Sequence, residues 1–239
     1  MDRITIAALA EMKRQGRKIV AVVAWDAVMA ELAERAGVDM LSVGDSVGKN
    51  LWGHATENEV TVEEMLVVCK AVRRGAKRSL VSCDAPAGAE PLTAAQRLVK
   101  EGGADMVKVH ASPEAVGQLA KAGIAVFAEF HGGRAVAELV DEAKRLEAAG
   151  AAMLDFRHSG PDAGAAVAKA VKIPVIGGLG GGPWLDGRVR MAHAALGYGM
   201  SWLNAETETY AHVASIALGA LAAYAEDVRA GRQIKGQRG

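Results

Sequence analysis

Short apolar segments alternate with longer amphipathic segments along most of this chain. The apolar runs are rich in β-branched residues and predict buried strands at residues 18–24, 40–43, 79–83, 106–109, 125–130, 152–156, 174–176 and, more weakly, 201–203. Apolar positions at helical spacing, closed in several places by glycine, predict helices at residues 4–15, 27–35, 62–74, 93–101, 113–122, 135–149, 165–171, 187–196 and 206–229. A strand followed by a helix is therefore predicted to recur eight times.

The predicted strands are apolar on both faces, which is typical of a parallel sheet that is covered by helices. Eight strand–helix units favour a (βα)8 barrel, the TIM barrel, over an open doubly wound sheet. One helix precedes the first strand, and no low-complexity linker divides the sequence. We therefore predict an α/β protein in which residues 1–239 form a single (βα)8 barrel domain with a short N-terminal helix.

Ionisable side chains stand at the ends of consecutive predicted strands. The second strand leads into the segment Ser42-Val43-Gly44-Asp45-Ser46-Val47-Gly48, and the next four strands end at or near Asp84, His110, Glu129 and Asp155. In a barrel these strand ends meet at one rim, where active sites form. A single carboxylate there is more often a helix cap than a catalyst, but five ionisable residues on neighbouring strands indicate a site. Oxygen ligands with one imidazole suit Mg2+, Mn2+ or another borderline divalent ion.

The composition narrows the class of protein and its compartment. The 28 basic and 28 acidic residues balance, so charge gives no reason to expect binding to nucleic acid or to an anionic membrane. Cys69 and Cys83 lie in apolar runs without a CxxC spacing and are predicted to be reduced core thiols. No apolar run reaches membrane-spanning length, and the N-terminus has no hydrophobic leader. We expect a cytoplasmic protein that binds neither nucleic acid nor membrane.

Several segments resemble the ketopantoate hydroxymethyltransferase (3-methyl-2-oxobutanoate hydroxymethyltransferase) family. The resemblance is dense through Lys108 and sparser beyond it, and rests on Val23-Ala24-Trp25-Asp26, Ala36-Gly37-Val38-Asp39, Val43-Gly44-Asp45-Ser46-Val47-Gly48, Val60-Thr61-Val62-Glu63-Glu64-Met65, Ala71-Val72-Arg73-Arg74-Gly75, Asp84-Ala85-Pro86, Val107-Lys108, Ile173-Pro174-Val175-Ile176-Gly177 and Asp186-Gly187. It implies a barrel of the phosphoenolpyruvate/pyruvate type. It also implies an enzyme that binds Mg2+ and a 2-oxo acid, enolises the acid and adds a one-carbon unit from methylenetetrahydrofolate.

By position, the resemblance implies roles for five residues. Asp45 and Asp84 would bind the metal and the 2-oxo acid. Ser46 would hold the substrate carboxylate through its hydroxyl and backbone N–H, and Lys108 would be the cationic partner of the oxo acid. Asp155 stands where the family has a glutamate proposed as the proton acceptor.

The chain departs from the family on strands four to six. His110 stands where the family has a glutamate, and Glu129 stands where it has a histidine, so the acid and the imidazole have exchanged strands. Either His110 or Glu129 could complete the metal site, and either Asp155 or Glu129 could move the C3 proton of the substrate. Asp155 also sets its carboxylate back by one methylene relative to the family's glutamate.

Two loops also differ from those of the family. The long loop that the family places after strand five is reduced to Phe130-His131-Gly132-Gly133-Arg134, and the glycine-rich loop at residues 177–182 is altered. We therefore predict weak or absent activity with methylenetetrahydrofolate and 3-methyl-2-oxobutanoate. His131 is a weaker candidate for the site, and Arg157 and His158 are candidates for binding a substrate anion.

These features together predict a divalent-metal-dependent enzyme that acts on a small 2-oxo acid through an enolate, by hydroxymethyl transfer or another aldol-type C–C bond formation. Two alternatives stay open: a lyase or isomerase of the same superfamily that cleaves a C–C or C–P bond, and a non-catalytic 2-oxo-acid-binding protein. The family forms ring-like homo-oligomers, and the predicted helix at residues 206–229 is apolar around much of its circumference. We therefore also predict a homo-oligomer.

Overall fold

Eight parallel strands close into a barrel in sequence order in a computed structural model that describes residues 2–110, 112–199 and 208–232. The strands are β1 (Ile19–Val23), β2 (Met40–Val43), β3 (Leu80–Asp84), β4 (Met106–His110), β5 (Val126–His131), β6 (Ala151–Arg157), β7 (Val175–Gly177) and β8 (Gly187–Met191). The helices are α1 (Ile6–Arg14), α2 (Ala27–Arg35), α3 (Val62–Gly75), α4 (Pro91–Lys100), α5 (Pro113–Lys121), α6 (Val136–Ala148), α7 (Pro161–Ala170), α8 (Ala192–Leu196) and α9 (Val213–Arg229). The predicted (βα)8 barrel with an N-terminal helix is confirmed.

The eighth strand was predicted wrongly. We expected a helix over residues 187–196, whereas Gly187–Met191 forms β8 and only Ala192–Leu196 is helical. Gly187 and Val189 are buried and Arg188 is exposed, which is the period-two pattern of a strand. A Cβ at Gly187 would lie 2.2 Å from the carbonyl oxygen of Ile19, so a glycine lets β8 approach β1. The predicted strand at 201–203 and the predicted start of the last helix at residue 206 lie outside the described residues.

Side chains inside the barrel form an apolar floor below a polar layer. The floor consists of the first inward residue of six successive strands, Met40, Leu80, Met106, Phe127, Met153 and Ile176, which cluster with Leu9 and Met12 of α1. Because side chains alternate along a strand, the next inward positions are two residues further on, at Ser42, Ser82, Lys108, Glu129 and Asp155. The barrel is therefore sealed by α1 at one end and polar at the other.

Aspartates that precede or join strands tie the start of one strand to its neighbour. A carboxylate oxygen accepts the backbone N–H of a residue on an adjacent strand, with distances of 3.0 Å for Asp39 and Val20, 2.9 Å for Asp105 and Val81 and 2.8 Å for Asp186 and Val175. Each carboxylate also pairs with a cation, namely Arg17, Arg73 and Lys13. The backbone N–H groups of Val20, Val81 and Val175 are thus satisfied by side chains.

The chain divides into two compact units, residues 1–190 and residues 191–239, and the prediction of one domain over the whole chain stays a prediction. In the second unit the N–H of Ala214 at the start of α9 donates to the carbonyl of Gly197, just after α8, at 2.9 Å. None of the residues of α9 is buried. Among the residues that the structure describes, no helix is both long and apolar enough to cross a membrane.

Candidate active site

Lys108 is the centre of the polar end of the barrel. Its ammonium lies 2.7 Å from Oε2 of Glu129, 3.1 Å from Oδ2 of Asp155 and 3.5 Å from Oδ2 of Asp84. The four residues come from β3, β4, β5 and β6. Strand pairing sets this arrangement, because Asp84 is in register with Lys108 and Glu129 is in register with Asp155. Four side chains that are distant in sequence therefore meet at one point.

Burial and neighbouring charges set the pKa values of Lys108 and Glu129. Burial opposes ionisation of Lys108, but the carboxylates of Asp84, Asp155 and Glu129 outweigh it and raise the pKa of the ammonium above its ordinary value. Burial would likewise raise the pKa of Glu129, but Lys108 and Arg157 lower it to about 2. Lys108 and Glu129 are therefore a charged pair at neutral pH.

The pKa values of Asp84 and Asp155 are raised, whereas that of Glu129 is lowered. Burial, together with the neighbouring carboxylates, raises the pKa of Asp84 to about 7, although Lys108 pulls it down. Burial also raises the pKa of Asp155, although Lys108 again opposes the shift. Oδ1 of Asp84 and Oδ1 of Asp155 are buried without a hydrogen-bond partner among the described residues. A buried carboxylate oxygen without a partner is costly, so both oxygens are available for a cation, a proton or a substrate group.

The segment after β2 places Asp45 and Ser46 beside Asp84. The indole N–H of Trp25 donates to the carbonyl of Gly44 at 3.0 Å and fixes the start of this segment. A Cβ at Gly44 would lie 3.0 Å from Oγ of Ser46 and from Cγ1 of Val23, and 3.8 Å from Oδ2 of Asp84, so the glycine allows Ser46 and Val23 to pack closely beside Asp84. Burial, then the charge of Glu57, raises the pKa of Asp45, while Lys108 lowers it.

Glu129 connects this buried group to the outer rim. Its Oε1 accepts a hydrogen bond from Nη1 of Arg157 at 2.9 Å and lies 3.1 Å from Nε2 of His131 and 3.5 Å from Nδ1 of His110. The imidazole rings of His110 and His131 meet edge to face, with their centroids 5.4 Å apart. One ligand atom from each of His110, Glu129 and His131 can be chosen so that all three lie within 4.8 Å of one another.

The structure brings most of the residues singled out in the sequence into one group. Asp84, Lys108, Glu129 and Asp155 are in direct contact or share a partner, and the charges of Lys108 and Glu129 act on Asp45. His110 lies at the exposed rim, where its Nδ1 is 3.5 Å from Oε1 of Glu129 and its side chain is 76% exposed.

Two residues take a larger part in the site than the sequence suggested. Arg157 pairs with Glu129, and His131 contacts the same carboxylate oxygen. A signal for both was present, because each stands two residues beyond an ionisable inward residue on its own strand and shares that residue's face. The contacts themselves depend on the register between strands, which cannot be obtained from spacing.

The donor set fits a divalent cation of the oxygen-seeking kind. The carboxylates of Asp45, Asp84, Glu129 and Asp155 interact here with the cations Lys108 and Arg157. A divalent ion would add positive charge among these carboxylates and satisfy the oxygen of Asp84 that has no partner among the described residues. Carboxylate oxygens are the ligands that Mg2+ prefers.

Comparisons with known proteins agree with this geometry. A family model described as ketopantoate hydroxymethyltransferase matches residues 3–131 and 131–233. The 3-methyl-2-oxobutanoate hydroxymethyltransferase of Geobacillus kaustophilus is 38% identical to this chain, in an alignment that covers 91% of this chain and 87% of that protein. These matches confirm the resemblance that was noted in the sequence.

Two solved structures confirm the fold. The phosphoenolpyruvate phosphomutase of Streptomyces platensis subsp. rosaceus superposes with a TM-score of 0.63 at 16% identity, covering 95% of this chain and 88% of that one. A phosphonopyruvate hydrolase in complex with oxalate and Mg2+ superposes with a TM-score of 0.62 at 17% identity, with the same 95% and 88% coverage. At this level of identity the likeness concerns the barrel alone.

Proposed function

This chain belongs to the ketopantoate hydroxymethyltransferase family and is an enzyme of the transferase type, and from that premise we propose that it forms a C–C bond at C3 of a small 2-oxo acid. The bond would form through the enolate of the acid, by hydroxymethyl transfer or a related aldol-type addition. The observation that carries the proposal is the buried ammonium of Lys108 among three carboxylates, two of which keep an unpartnered oxygen.

Substrate binding is assigned to Lys108 and Ser46. An anionic 2-oxo acid needs a cation and hydrogen-bond donors in a carboxylate-rich site, and Lys108 is the buried cation of this group. The hydroxyl of Ser46 and Oδ2 of Asp84 both lie within 4 Å of the point that a Cβ of Gly44 would occupy, so Ser46 offers a hydrogen-bond donor for the substrate carboxylate beside this aspartate. A fixed ammonium beside the keto oxygen would also stabilise negative charge as the enolate forms.

Of the two candidate proton acceptors, Asp155 is favoured over Glu129. Glu129 is engaged by Lys108, Arg157 and His131, and its pKa of about 2 makes it a weak base. Asp155 keeps Oδ1 without a partner in the described structure, and burial raises its pKa. We assign to Asp155 the removal of the C3 proton, after which C3 of the enolate attacks the one-carbon electrophile. Glu129 then serves to hold Lys108 in place.

A divalent ion, Mg2+ first and Mn2+ or Co2+ as alternatives, is proposed to bind at Asp45 and Asp84. Bound there, it would supply Lewis-acid stabilisation of the charge that develops on the keto oxygen. Asp84 offers a buried oxygen without a partner in the described structure, and Asp45 is close enough for its charge to shift the pKa of Asp84. His110 was a further candidate ligand in the sequence and is placed at the rim, in contact with Glu129.

The length of the loop after β5 bears on which one-carbon donor the protein can use. β5 ends at His131 and α6 begins at Val136, so the loop between them is short. We predict turnover of methylenetetrahydrofolate with 3-methyl-2-oxobutanoate well below the ordinary range for enzymes, which begins at about 1 per second. Free formaldehyde and other small aldehydes are alternative electrophiles that need no folate-binding surface.

Product analysis tests the proposal. The protein with Mg2+ is incubated with a panel of 2-oxo acids and either methylenetetrahydrofolate or formaldehyde, and adducts that gain one CH2O unit are sought by mass spectrometry. The proposal predicts an adduct with at least one acid, lost in Asp155→Asn and kept in the control Asp162→Asn, which changes an exposed aspartate. Cleavage of an acid to smaller products would favour a lyase. Absence of both adduct and cleavage would overturn the proposal.

A further inference from the structure

We propose that His110, Glu129 and His131 form a second cation site at the rim, which binds a first-row transition-metal ion such as Zn2+ or Co2+. Oε1 of Glu129 lies 3.1 Å from Nε2 of His131 and 3.5 Å from Nδ1 of His110. Ligand atoms that each lie about 2.1 Å from a tetrahedral ion are themselves separated by about 3.4 Å. Two of the three separations therefore match that value, and one ligand atom from each residue can be chosen so that all three lie within 4.8 Å of one another.

The ligand types select the class of ion. Imidazole nitrogens suit zinc, cobalt, nickel and iron, whereas Mg2+ takes oxygen ligands. Two histidines and one carboxylate leave further coordination positions open. His110 and His131 have side chains that are 76% and 42% exposed, so the open positions face the mouth of the barrel. The site is thus chemically distinct from the carboxylates of Asp45 and Asp84.

Glu129 serves both sites through different oxygens. Oε2 lies 2.7 Å from the ammonium of Lys108, whereas Oε1 faces the two histidines. Lys108 also lies 3.5 Å from Oδ2 of Asp84, so its ammonium contacts a carboxylate of each group. Its positive charge opposes a nearby cation, but the rim histidines are not shared with Asp45 and Asp84, so the two sites can be tested by separate substitutions.

Arg157 is the neighbour that limits the affinity of the rim site. Its Nη1 donates to Oε1 of Glu129 at 2.9 Å, and the positive charge of the guanidinium opposes a second cation nearby. A carboxylate oxygen has two lone pairs, so Oε1 can keep this hydrogen bond while a metal replaces its present contact with His131. Arg157 also orients the carboxylate, as outer partners of metal ligands commonly do. We expect binding weaker than that of a closed four-ligand zinc site.

The strands hold the ligands in place before any ion arrives. His110 ends β4 and His131 ends β5, and His110 is in register with Glu129 across the two strands. Sites built on regular elements keep their geometry better than sites built on loops. The ligand group therefore consists of three residues at the ends of two adjacent strands.

Cobalt binding under a large excess of Mg2+ tests this site. Mg2+ is added first to occupy the oxygen ligands, and Co2+ is then titrated while its visible absorption and the binding heat are recorded. We expect one Co2+ per chain with an absorption band typical of nitrogen ligation. His110→Ala and His131→Ala should each weaken Co2+ binding by at least about 10-fold, since even outer partners of ligands contribute that much. The matched control His212→Ala removes an imidazole outside the cluster and should bind as the wild type does.

His131→Gln serves as a second variant with a side chain of similar size, and circular dichroism confirms the fold of each protein. Two results would overturn the proposal: Co2+ binding that is equal in the wild type and both histidine variants, or binding that Asp84→Asn abolishes as fully as His131→Ala does. Either result can be told apart from a failure of the proposed reaction, which is scored by product and not by Co2+ binding.

Discussion

Nζ of Lys108 lies 2.7 Å from Oε2 of Glu129, at the point where β4 and β5 reach the polar end of the barrel. This pair separates the buried carboxylates of Asp84 and Asp155 from the exposed rim. The pair also explains why the pKa of Glu129 differs from those of Asp84 and Asp155. Lys108 and Arg157 lower the pKa of Glu129, whereas burial raises the pKa of both aspartates.

Replacement of Lys108 by Met should destabilise the fold. The change leaves three buried carboxylates without their shared cation, and breaking a buried ion pair on one side costs about 3–5 kcal/mol. Protonation of Asp84, whose pKa is already about 7, would relieve part of that cost, so we expect about 2–4 kcal/mol in urea unfolding at pH 8. The control is Lys100→Met, which alters an exposed lysine on α4. Equal stability of the two variants would contradict the assigned role of Lys108.

Replacement of Gly44 by Ala should disturb the proposed substrate site beside Ser46 and Asp84. The new methyl group would lie 3.0 Å from Oγ of Ser46 and from Cγ1 of Val23, and 3.8 Å from Oδ2 of Asp84, so Ser46 or Val23 must shift to admit it. We expect binding of 2-oxo acids, measured by calorimetry with Mg2+ present, to weaken by at least about 10-fold. Gly88→Ala is the matched control, because a Cβ there meets nothing within 4 Å. Undiminished binding by Gly44→Ala would place the substrate elsewhere.

Glu34 should make stability depend on pH. Its carboxylate accepts the backbone N–H groups of Lys77, Arg78 and Ser79 at 2.9, 2.6 and 2.7 Å. Burial opposes its ionisation, but these hydrogen bonds prevail and lower its pKa below the ordinary value of 4.5. A lowered pKa means that the stabilisation is complete above pH 4.5 and is lost as the pH falls through the folded-state pKa.

The variant Glu34→Gln should therefore lose about 1 kcal/mol of stability at pH 7, a figure at the low end because the side chain is partly exposed. Its difference from the wild type should shrink as the pH is lowered through 4 and toward 3. Glu31→Gln is the control, since it loses only an exposed pair with Arg35 on the same helix. A difference between Glu34→Gln and the wild type that stays constant from pH 7 to pH 3 would argue against this role.

Much of the fold could be predicted because most strands are short apolar runs, and β3 to β6 end at or near an ionisable residue. The strand Gly187–Met191 was not predicted because Arg188 and Arg190 interrupt its apolar residues. The segment was therefore assigned to an amphipathic helix. The strand ends predicted which residues belong to the candidate site, but they did not predict which of those side chains contact one another. The meeting of Arg157 with Glu129 depends on how β5 and β6 pair, and pairing register is a property of the closed barrel rather than of either strand.

Helix α9 should mediate assembly of several copies of the chain. Ile216, Leu221 and Tyr224 are exposed on it, and a homo-oligomer would cover this apolar surface. Multi-angle light scattering at micromolar concentration should give a multiple of the chain mass of 24.8 kDa. Leu221→Glu should lower that mass, whereas Val67→Glu, a matched change at an exposed position on α3, should not. A wild-type mass equal to one chain would rule this assembly out.

The central claim, enolisation of a 2-oxo acid at this site, is tested most directly by exchange of the C3 proton into D2O. The protein is mixed with Mg2+ and a 2-oxo acid in the absence of any one-carbon donor, and the C3 proton signal is followed by NMR. We predict that the signal disappears with the wild-type protein, persists with Asp155→Asn and Asp84→Asn, and disappears normally with Asp162→Asn, which alters an exposed aspartate. A C3 signal that persists with the wild type, for every common 2-oxo acid and with Mg2+, Mn2+ or Co2+, would contradict the claim and favour a protein that binds the acid without reaction.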